Sequence, residues 1–357
     1  MEQLALFLPL PVVYLANLAV DRNRSQGTRK ALATLVNLCI GAMALGLVVV
    51  GVSTSASSSV FSALVLASAI LTASLATVRS RFYLAYFGLD PANSVHALAA
   101  AFSVAIAGTQ LAGQLGEPVL LQEATAAAPL TPLSLFIQEL PYLLAALIGV
   151  GWLSRRSLGA TAARLGWVRP SWGQISLGLA AALVFYWVSA AAGWLSSTLT
   201  PGVARQVDAA NQHLFQHLAT PVGIAVIALA AGICEEALFR GALQPRFGLV
   251  WPAVLFALMH TQYGLSLDAL AVLVIALGLG FIRRYANTST TTLSHASYNA
   301  LAATATSIPP GLLMIGTLVL LGATYLLRRS VLTSGPSVAA GPLPADGGRS
   351  ETQPPQT

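Results

Sequence analysis

The sequence predicts an all-α protein, a polytopic transmembrane helix bundle of about 11 spans, and three observations support this prediction. Of the 357 residues, 56% are hydrophobic and only 8% are charged, whereas soluble domains carry about 25% charged residues. The mean hydropathy is +0.73. Apolar runs of roughly twenty residues, the length that crosses a bilayer as a helix, alternate with short charged loops. Soluble enzymes, disulfide-rich secreted scaffolds and wholly disordered proteins are therefore excluded.

The first apolar run is interpreted as a retained span rather than as a signal peptide. It has Glu2 in place of a basic start, contains Pro9 and Pro11, and lacks a small-x-small cleavage site before Asp21. Ten further apolar runs follow it. The predicted spans are 3–20, 31–51, 60–78, 94–113, 133–154, 175–195, 221–243, 250–264, 266–282, 289–306 and 309–327.

The basic residues predict how these spans are oriented. If the N-terminus lies outside, sixteen of the eighteen Lys and Arg residues fall in cytoplasmic loops or in the C-terminal tail. Arg205 alone falls outside, and Arg240 lies within a span. Because cytoplasmic loops are enriched in Lys and Arg, the sequence predicts an integral, multi-pass membrane protein with an outer N-terminus and a cytoplasmic C-terminus. The same bias explains the net charge of +6 without a nucleic-acid partner.

Ionisable residues within the spans are candidates for function, since a charge at the bilayer centre costs about 2.5–3.5 kcal/mol. The seventh span contains three of them, Glu235, Glu236 and Arg240. Glu236 and Arg240 are four residues apart and share a helix face, so they are predicted to pair. Glu235 points about 100° away from Glu236 and is free to face a cavity, and one of the two carboxylates is available for proton transfer.

Two later spans add polar side chains at a similar depth. His260 lies in the eighth span, and His295 and Asn299 are four residues apart in the tenth. At a rise of about 1.5 Å per residue, these groups and Glu235 lie roughly 9–15 Å from the cytoplasmic ends of their spans. The tenth span is too rich in Ser and Thr to face lipid and is predicted to lie inside the bundle. Three helices thus bring acid, base and amide to one level, which favours a catalytic or metal site.

Three short motifs resemble those of the CPBP family, which includes CAAX prenyl endopeptidases of the Ras-converting type and Abi proteins of bacteriocin processing and self-immunity. EEALFR at 235–240, FALMH at 256–260 and HASYN at 295–299 fill the family patterns EExxxR, FxxxH and HxxxN/D, in order. RLGWVRPSW at 164–172 is similar to a juxtamembrane segment of bacterial members. The resemblance covers residues 219–306.

The resemblance implies an intramembrane endopeptidase with an eight-helix core that cleaves a peptide bond near the cytoplasmic membrane face. In its metal-free form, Glu235 and His260 activate a water, while His295 and Asn299 stabilise the oxyanion. Glu236 and Arg240 support the site. In the metalloprotease form, Zn is bound by Glu235, His260 and His295. The HExxH pattern of zincins is absent, and metal-free activation is favoured.

The resemblance also implies a domain organisation and a class of partner. Residues 1–130 form N-terminal transmembrane helices without an assigned motif, and 131–329 form the protease-like core. Residues 330–357 are rich in Pro, Gly and Ser and are predicted to be a disordered cytoplasmic tail. The substrate is expected to be a peptide or membrane protein, either prenylated or bearing a leader peptide.

Other functions remain as alternatives. The main one is a non-catalytic membrane scaffold or bacteriocin self-immunity protein. A proton-coupled transporter would also bury Glu and His, but it predicts symmetric halves, whereas the ionisable residues cluster in one third of the chain. Three weaker candidates are given structural interpretations. Glu139 is interpreted as an interfacial carboxylate and Cys234 as a buried thiol. The His213–His217 pair is interpreted as an exposed turn of an outer loop over 196–218.

Overall fold

The computed structural model describes residues 5–53, 59–116, 127–304 and 307–332, and every regular element in these ranges is a helix. The prediction of an all-α bundle is confirmed. Residues 330–332, predicted as the start of a disordered tail, instead belong to the helix Arg328–Leu332, and the rest of the predicted tail lies outside the described residues. Two short 3₁₀ helices occupy Arg79–Phe87 and Thr261–Tyr263. The other helices are α1 (Pro9–Ala19), α2 (Gln26–Ser53), α3 (Ser59–Ser74), α4 (Ser94–Gly116), α5 (Pro132–Gly149), α6 (Leu158–Leu165), α7 (Trp172–Leu199), α8 (Pro201–Phe215), α9 (Pro221–Phe247), α10 (Val250–Met259), α11 (Leu267–Tyr285), α12 (Thr288–Thr304), α13 (Pro310–Leu326) and α14 (Arg328–Leu332).

A helix occupies each of the eleven predicted spans, but fewer are long and apolar enough to cross a bilayer alone. Among the described residues, α2, α4, α5, α7 and α9 meet that requirement, and α3 with the bent 3₁₀ segment makes a sixth. Helices α1, α10 and α13 are apolar but shorter. Helix α11 carries Asp268, Arg283 and Arg284, and α12 is polar. The chain is therefore a polytopic helical bundle, and the count of eleven crossings stays a prediction.

Two local predictions are wrong. The span predicted over 250–264 ends as a helix at Met259, because His260 leaves helical geometry (φ −88°, ψ 62°) and Gly264 has a positive φ of 54°. The segment predicted as an outer loop over 196–218 contains the helix α8, which Pro201 begins. Its amphipathic character was recognised, but its helical conformation was not.

Loops that were predicted to share a side of the membrane contact one another. On the arginine-rich side, Arg155 donates to Asn17 Oδ1 at 2.7 Å, which joins the ends of α1 and α5. On the other side, Leu130 N donates to Leu214 O at 2.8 Å, which joins the segment before α5 to α8. These contacts agree with the predicted alternation of the loops.

Helix α12 lies inside the bundle, as predicted from its Ser and Thr content. Thr288, Thr290, Thr291 and Ser294 are fully buried. The start of the helix is held from outside it, because Thr288 donates from Oγ1 to Leu165 O at 2.6 Å and from N to Gly166 O at 3.0 Å. The stretch RLGWVRPSW therefore fixes the depth of α12 and of the polar residues that it carries.

Candidate active site

Helix α9 departs from regular α-helix on both sides of its two glutamates. Residues Ile227–Ala231 and Ala237–Leu243 are π-helical, and the α-helical turn Gly232–Glu236 lies between them. A π-helical turn inserts one residue and leaves backbone carbonyls less tightly paired, and such turns are frequent at functional sites. Here they rotate the Glu235–Glu236 pair relative to the ends of the helix.

Glu236 is the centre of a buried chain of charged groups. Its side chain is fully buried, and Oε1 lies 3.0 Å from Arg240 Nη1 and 3.0 Å from His295 Nδ1. The predicted Glu236–Arg240 pair is therefore present. Arg240 also donates to Ala276 O at 3.1 Å, and its guanidinium lies 4.6 Å from the centre of the Phe256 ring. Since a carboxylate accepts, His295 donates from Nδ1, which fixes the orientation of its ring.

Glu235 faces away from this chain and lines a cavity. Its Oε2 lies 3.7 Å from His295 Nε2, too far for a strong hydrogen bond. The same oxygen is buried and has no hydrogen-bond partner among the described residues. A buried carboxylate oxygen without a partner is costly unless it binds water or ligand. The division of roles expected from the helix spacing, one glutamate paired and one available, is thus present in the contacts.

His260 also presents an unpaired ring nitrogen. Its Nδ1 lies 2.8 Å from Phe256 O. Because a carbonyl only accepts, Nδ1 carries the proton, and Nε2 of the neutral ring has a free lone pair. The ring lies between Phe256, at a centroid distance of 4.6 Å, and Tyr263, at 6.3 Å. The break in helical geometry at His260 places this ring where α10 ends.

Asn299 is anchored by the first π-helical segment of α9. Its Nδ2 donates to Ile227 O at 3.3 Å, and the side chain lines the same cavity as Glu235. One N–H bond of the amide is used in this contact, and the second is left for another acceptor.

The four polar groups predicted to act together line one cavity of about 900 Å³: Glu235, His260, His295 and Asn299. From these side chains the cavity extends to Ala127–Leu130 and to the end of α8 at Leu214 and Phe215. His213 Nε2 lies 2.7 Å from Ala127 O and ties these two parts of the rim together. The rim therefore lies on the side of the bundle opposite the arginine-rich loops.

Glu139 also lines the cavity, although from the sequence it was only a weaker candidate. Its side chain is buried and lines the same cavity, and its Oε2 has no hydrogen-bond partner among the described residues. The signal was a carboxylate within an apolar run, which was interpreted as interfacial. Tyr142, one turn further along α5, also lines the cavity. Cys234 is buried, as expected, whereas His213 uses its ring in the rim contact.

The side chains were tested as a metal site by their arrangement. Zinc needs three or four His, Cys or carboxylate ligands at about 2.0–2.3 Å around one point. Within the part of the chain that the structure describes, no three His, Cys, Asp or Glu side chains are placed to hold a metal ion. In this arrangement Glu235, His260 and His295 do not fit a zinc ion, so their geometry gives no support to the zinc alternative that the resemblance implies.

Close helix contact at Gly232 gives a prediction about how the site is held. A Cβ atom at this position would lie 3.0 Å from both N and Cβ of Ala296, the residue after His295. We expect Gly232→Ala to push α12 away from α9 and to lower the thermal unfolding temperature. The matched control is Gly46→Ala, where a Cβ meets nothing within 4 Å. Equal unfolding temperatures for the two variants would contradict the predicted contact.

The chain was then compared with known proteins. Residues 217–301 match the family model described as "Type II CAAX prenyl endopeptidase Rce1-like". No curated protein and no solved structure gives a significant match. The matched region contains all three motifs. It therefore includes the four polar residues of the cavity: Glu235, His260, His295 and Asn299. Over residues 217–301, the chain is thus similar to the Rce1-like CAAX prenyl endopeptidases, which supports the resemblance that its motifs indicated.

Proposed function

We propose that this protein is an intramembrane endopeptidase that hydrolyses a peptide bond in the cavity lined by Glu235, His260, His295 and Asn299. One observation supports this most directly. The Oε2 atom of Glu235, which has no partner among the described residues, and the unprotonated Nε2 atom of His260 line the same membrane-embedded cavity. The family match supports a peptide hydrolase of the CAAX type. Water activation needs only a base and a bound water, so the groups present are sufficient for it.

Each group has its own role in the reaction. Water binds between Glu235 and His260, its oxygen attacks the scissile carbonyl carbon, and Glu235 takes the proton. Asn299 and His295 donate hydrogen bonds to the oxyanion. Because His295 already donates from Nδ1 to Glu236, its donation from Nε2 requires a proton on both ring nitrogens, with Glu236 as the counter-ion. The intermediate collapses, the C–N bond breaks, and Glu235 returns the proton to the leaving amine. Glu236 and Arg240 act as positioning residues.

The side from which the substrate enters is inferred from the arginines and from the cavity. The cavity extends to Ala127–Leu130 and to the end of α8, opposite the arginine-rich loops, which with an outer N-terminus supports entry from the outer side rather than the predicted cleavage near the cytoplasmic face. The orientation rests on sixteen of eighteen basic residues, so we keep it. We therefore propose that the scissile bond reaches Glu235 from the outer side of the membrane.

This orientation predicts which exposed residues react with reagents outside intact cells. In a Cys39→Ser, Cys234→Ser background, we expect Asp208→Cys on α8 to react with a membrane-impermeant maleimide. Arg284→Cys, at the end of α11, is expected to react only after permeabilisation. Asp208 and Arg284 are both exposed, but they are predicted to lie on opposite sides of the membrane. The reverse labelling pattern would overturn the orientation and return the cavity rim to the cytoplasmic side.

The proposed substrate is a peptide or membrane protein, with prenylated and leader-peptide-bearing polypeptides as the candidate classes. The test compares membrane and small polypeptides in cells that produce wild-type protein, His260→Ala or His217→Ala. His217 is exposed and lies outside the cavity. We expect shortened polypeptides with wild type and His217→Ala, and only uncut forms with His260→Ala at equal membrane abundance. Identical polypeptides in all three cells would instead favour a scaffold or self-immunity protein.

A further inference from the structure

A second cavity lies between the N-terminal helices and the protease-like region. It has a volume of about 320 Å³ and is lined by α1, α4, α5, α9 and α10. Its walls are apolar over most of their area, with Pro9, Val13, Phe102 and Leu243 as examples, and no Asp or Glu is among its described lining residues. A cavity of this size is within the range of small-ligand sites.

One end of this cavity is strongly basic. Arg155, Arg156, Arg164 and Arg246 line it, and none of them forms an ion pair within the described residues. Arg155 donates to Asn17, and Arg156 donates to the Val150 carbonyl, so both contacts are to neutral acceptors.

The positive charges at this end are compensated only in part. The pKa of Arg164 is lowered to about 10, because the side chain is partly buried and the charges of Arg246 and Arg156 lie near it. The group remains protonated at neutral pH. Asp21 interacts with Arg155, which leaves an excess of positive charge among the four arginines, and an anion bound among them would reduce their repulsion.

We propose that this arginine-capped cavity binds an anionic phospholipid, with the phosphate at Arg155, Arg164 and Arg246 and an acyl chain in the apolar part. Arg155 follows α5, Arg164 lies in α6 and Arg246 lies at the end of α9, all on the predicted cytoplasmic side, at the level of the headgroups. Basic pockets between transmembrane helices bind anionic headgroups there. Burial of the acyl chain against the apolar walls adds to the affinity.

The location of this cavity assigns a role to the N-terminal helices. Tyr142, Phe239 and Met259 line both this cavity and the one containing Glu235. A bound lipid would join α1 and α4 to the wall of the catalytic cavity and hold that wall in place. A prenylated peptide ending in a carboxylate has similar chemistry, an anion on an apolar chain, and the experiment must separate it from a lipid.

The test uses the purified full-length chain and follows lipid retention by native mass spectrometry and thermal unfolding. The probes are phosphatidylglycerol, phosphatidylcholine, inorganic phosphate and a farnesylated peptide with a free carboxylate. The variant is Arg164→Gln with Arg246→Gln. Its matched control is Arg169→Gln with Arg284→Gln, which changes two exposed arginines in the same set of loops but outside the cavity.

We expect wild type and control to retain phosphatidylglycerol in preference to phosphatidylcholine and to be stabilised by it, with no effect of inorganic phosphate alone. The cavity variant should bind phosphatidylglycerol roughly tenfold more weakly or worse. Equal retention of the two lipids, equal binding by variant and control, or binding of the farnesylated peptide in place of phosphatidylglycerol would overturn the proposal. No readout involves proteolysis, so the result is independent of the proposed function.

Discussion

Replacement of Glu235 by Gln is expected to abolish cleavage while leaving the protein folded. The amide has nearly the shape of the carboxylate but cannot take a proton from water, so the rate should fall by at least about 100-fold. Folding should be maintained, because the Oε2 atom of Glu235 has no hydrogen-bond partner to lose among the residues that the structure describes. The measurement is the initial rate of cleavage by purified protein in detergent.

The matched control for this prediction is Asp208→Asn, which makes the same carboxylate-to-amide change on the exposed face of α8. It should cleave at the wild-type rate. A Glu235→Gln variant that is folded and keeps roughly a tenth or more of the wild-type rate would show that another group activates the water. Glu139, which lines the same cavity, would then be the next residue to test.

Replacement of Arg240 by Met is expected to destabilise the whole bundle. Glu236 is fully buried, and Arg240 supplies its cationic partner at 3.0 Å. Removing one member of a buried ion pair costs about 3–5 kcal/mol, because the remaining charge is left without compensation. That is a large part of the total stability of a typical protein. Thermal unfolding and yield should both fall well below wild type.

Two further variants show whether this loss comes from the ion pair. Arg205→Met changes an exposed arginine and should unfold at the wild-type temperature. The double variant Glu236→Gln with Arg240→Met removes both charges and should recover much of the lost stability. It should stay inactive, since His295 Nδ1 loses the carboxylate that orients it. An Arg240→Met single variant as stable as Arg205→Met would contradict this account.

Sequence reasoning predicted the helical architecture, which is confirmed, and a set of site residues, which stays a prediction, because each depends on local spacing. Glu236 and Arg240 are one turn apart, so their pairing follows from helix geometry. The burial of α12 follows from a Ser- and Thr-rich run that lipid would not accept. The family motifs then assigned roles to His260, His295 and Asn299, and their contacts agree with a shared cavity.

Other features depend on contacts between segments far apart in sequence and were not accessible in this way. Glu139 comes almost a hundred residues before Glu235, and only the packing of α5 against α9 brings both to one cavity. The π-helical turns cannot be recognised from the pattern of hydrophobic residues in the sequence. The direction of the cavity depends on how α8 and the segment at 127–130 meet. No single span contains that information.

The most direct test of the central claim is whether side chains from α9, α12 and the end of α10 meet in one cavity. In a chain with Cys39→Ser and Cys234→Ser, we expect Glu235→Cys to be cross-linked by a short bifunctional thiol reagent to His260→Cys and to His295→Cys. Paired with Asp208→Cys on the exposed face of α8, it should not be cross-linked. Efficient labelling of every single cysteine without any cross-link between the cavity pairs would contradict the shared site.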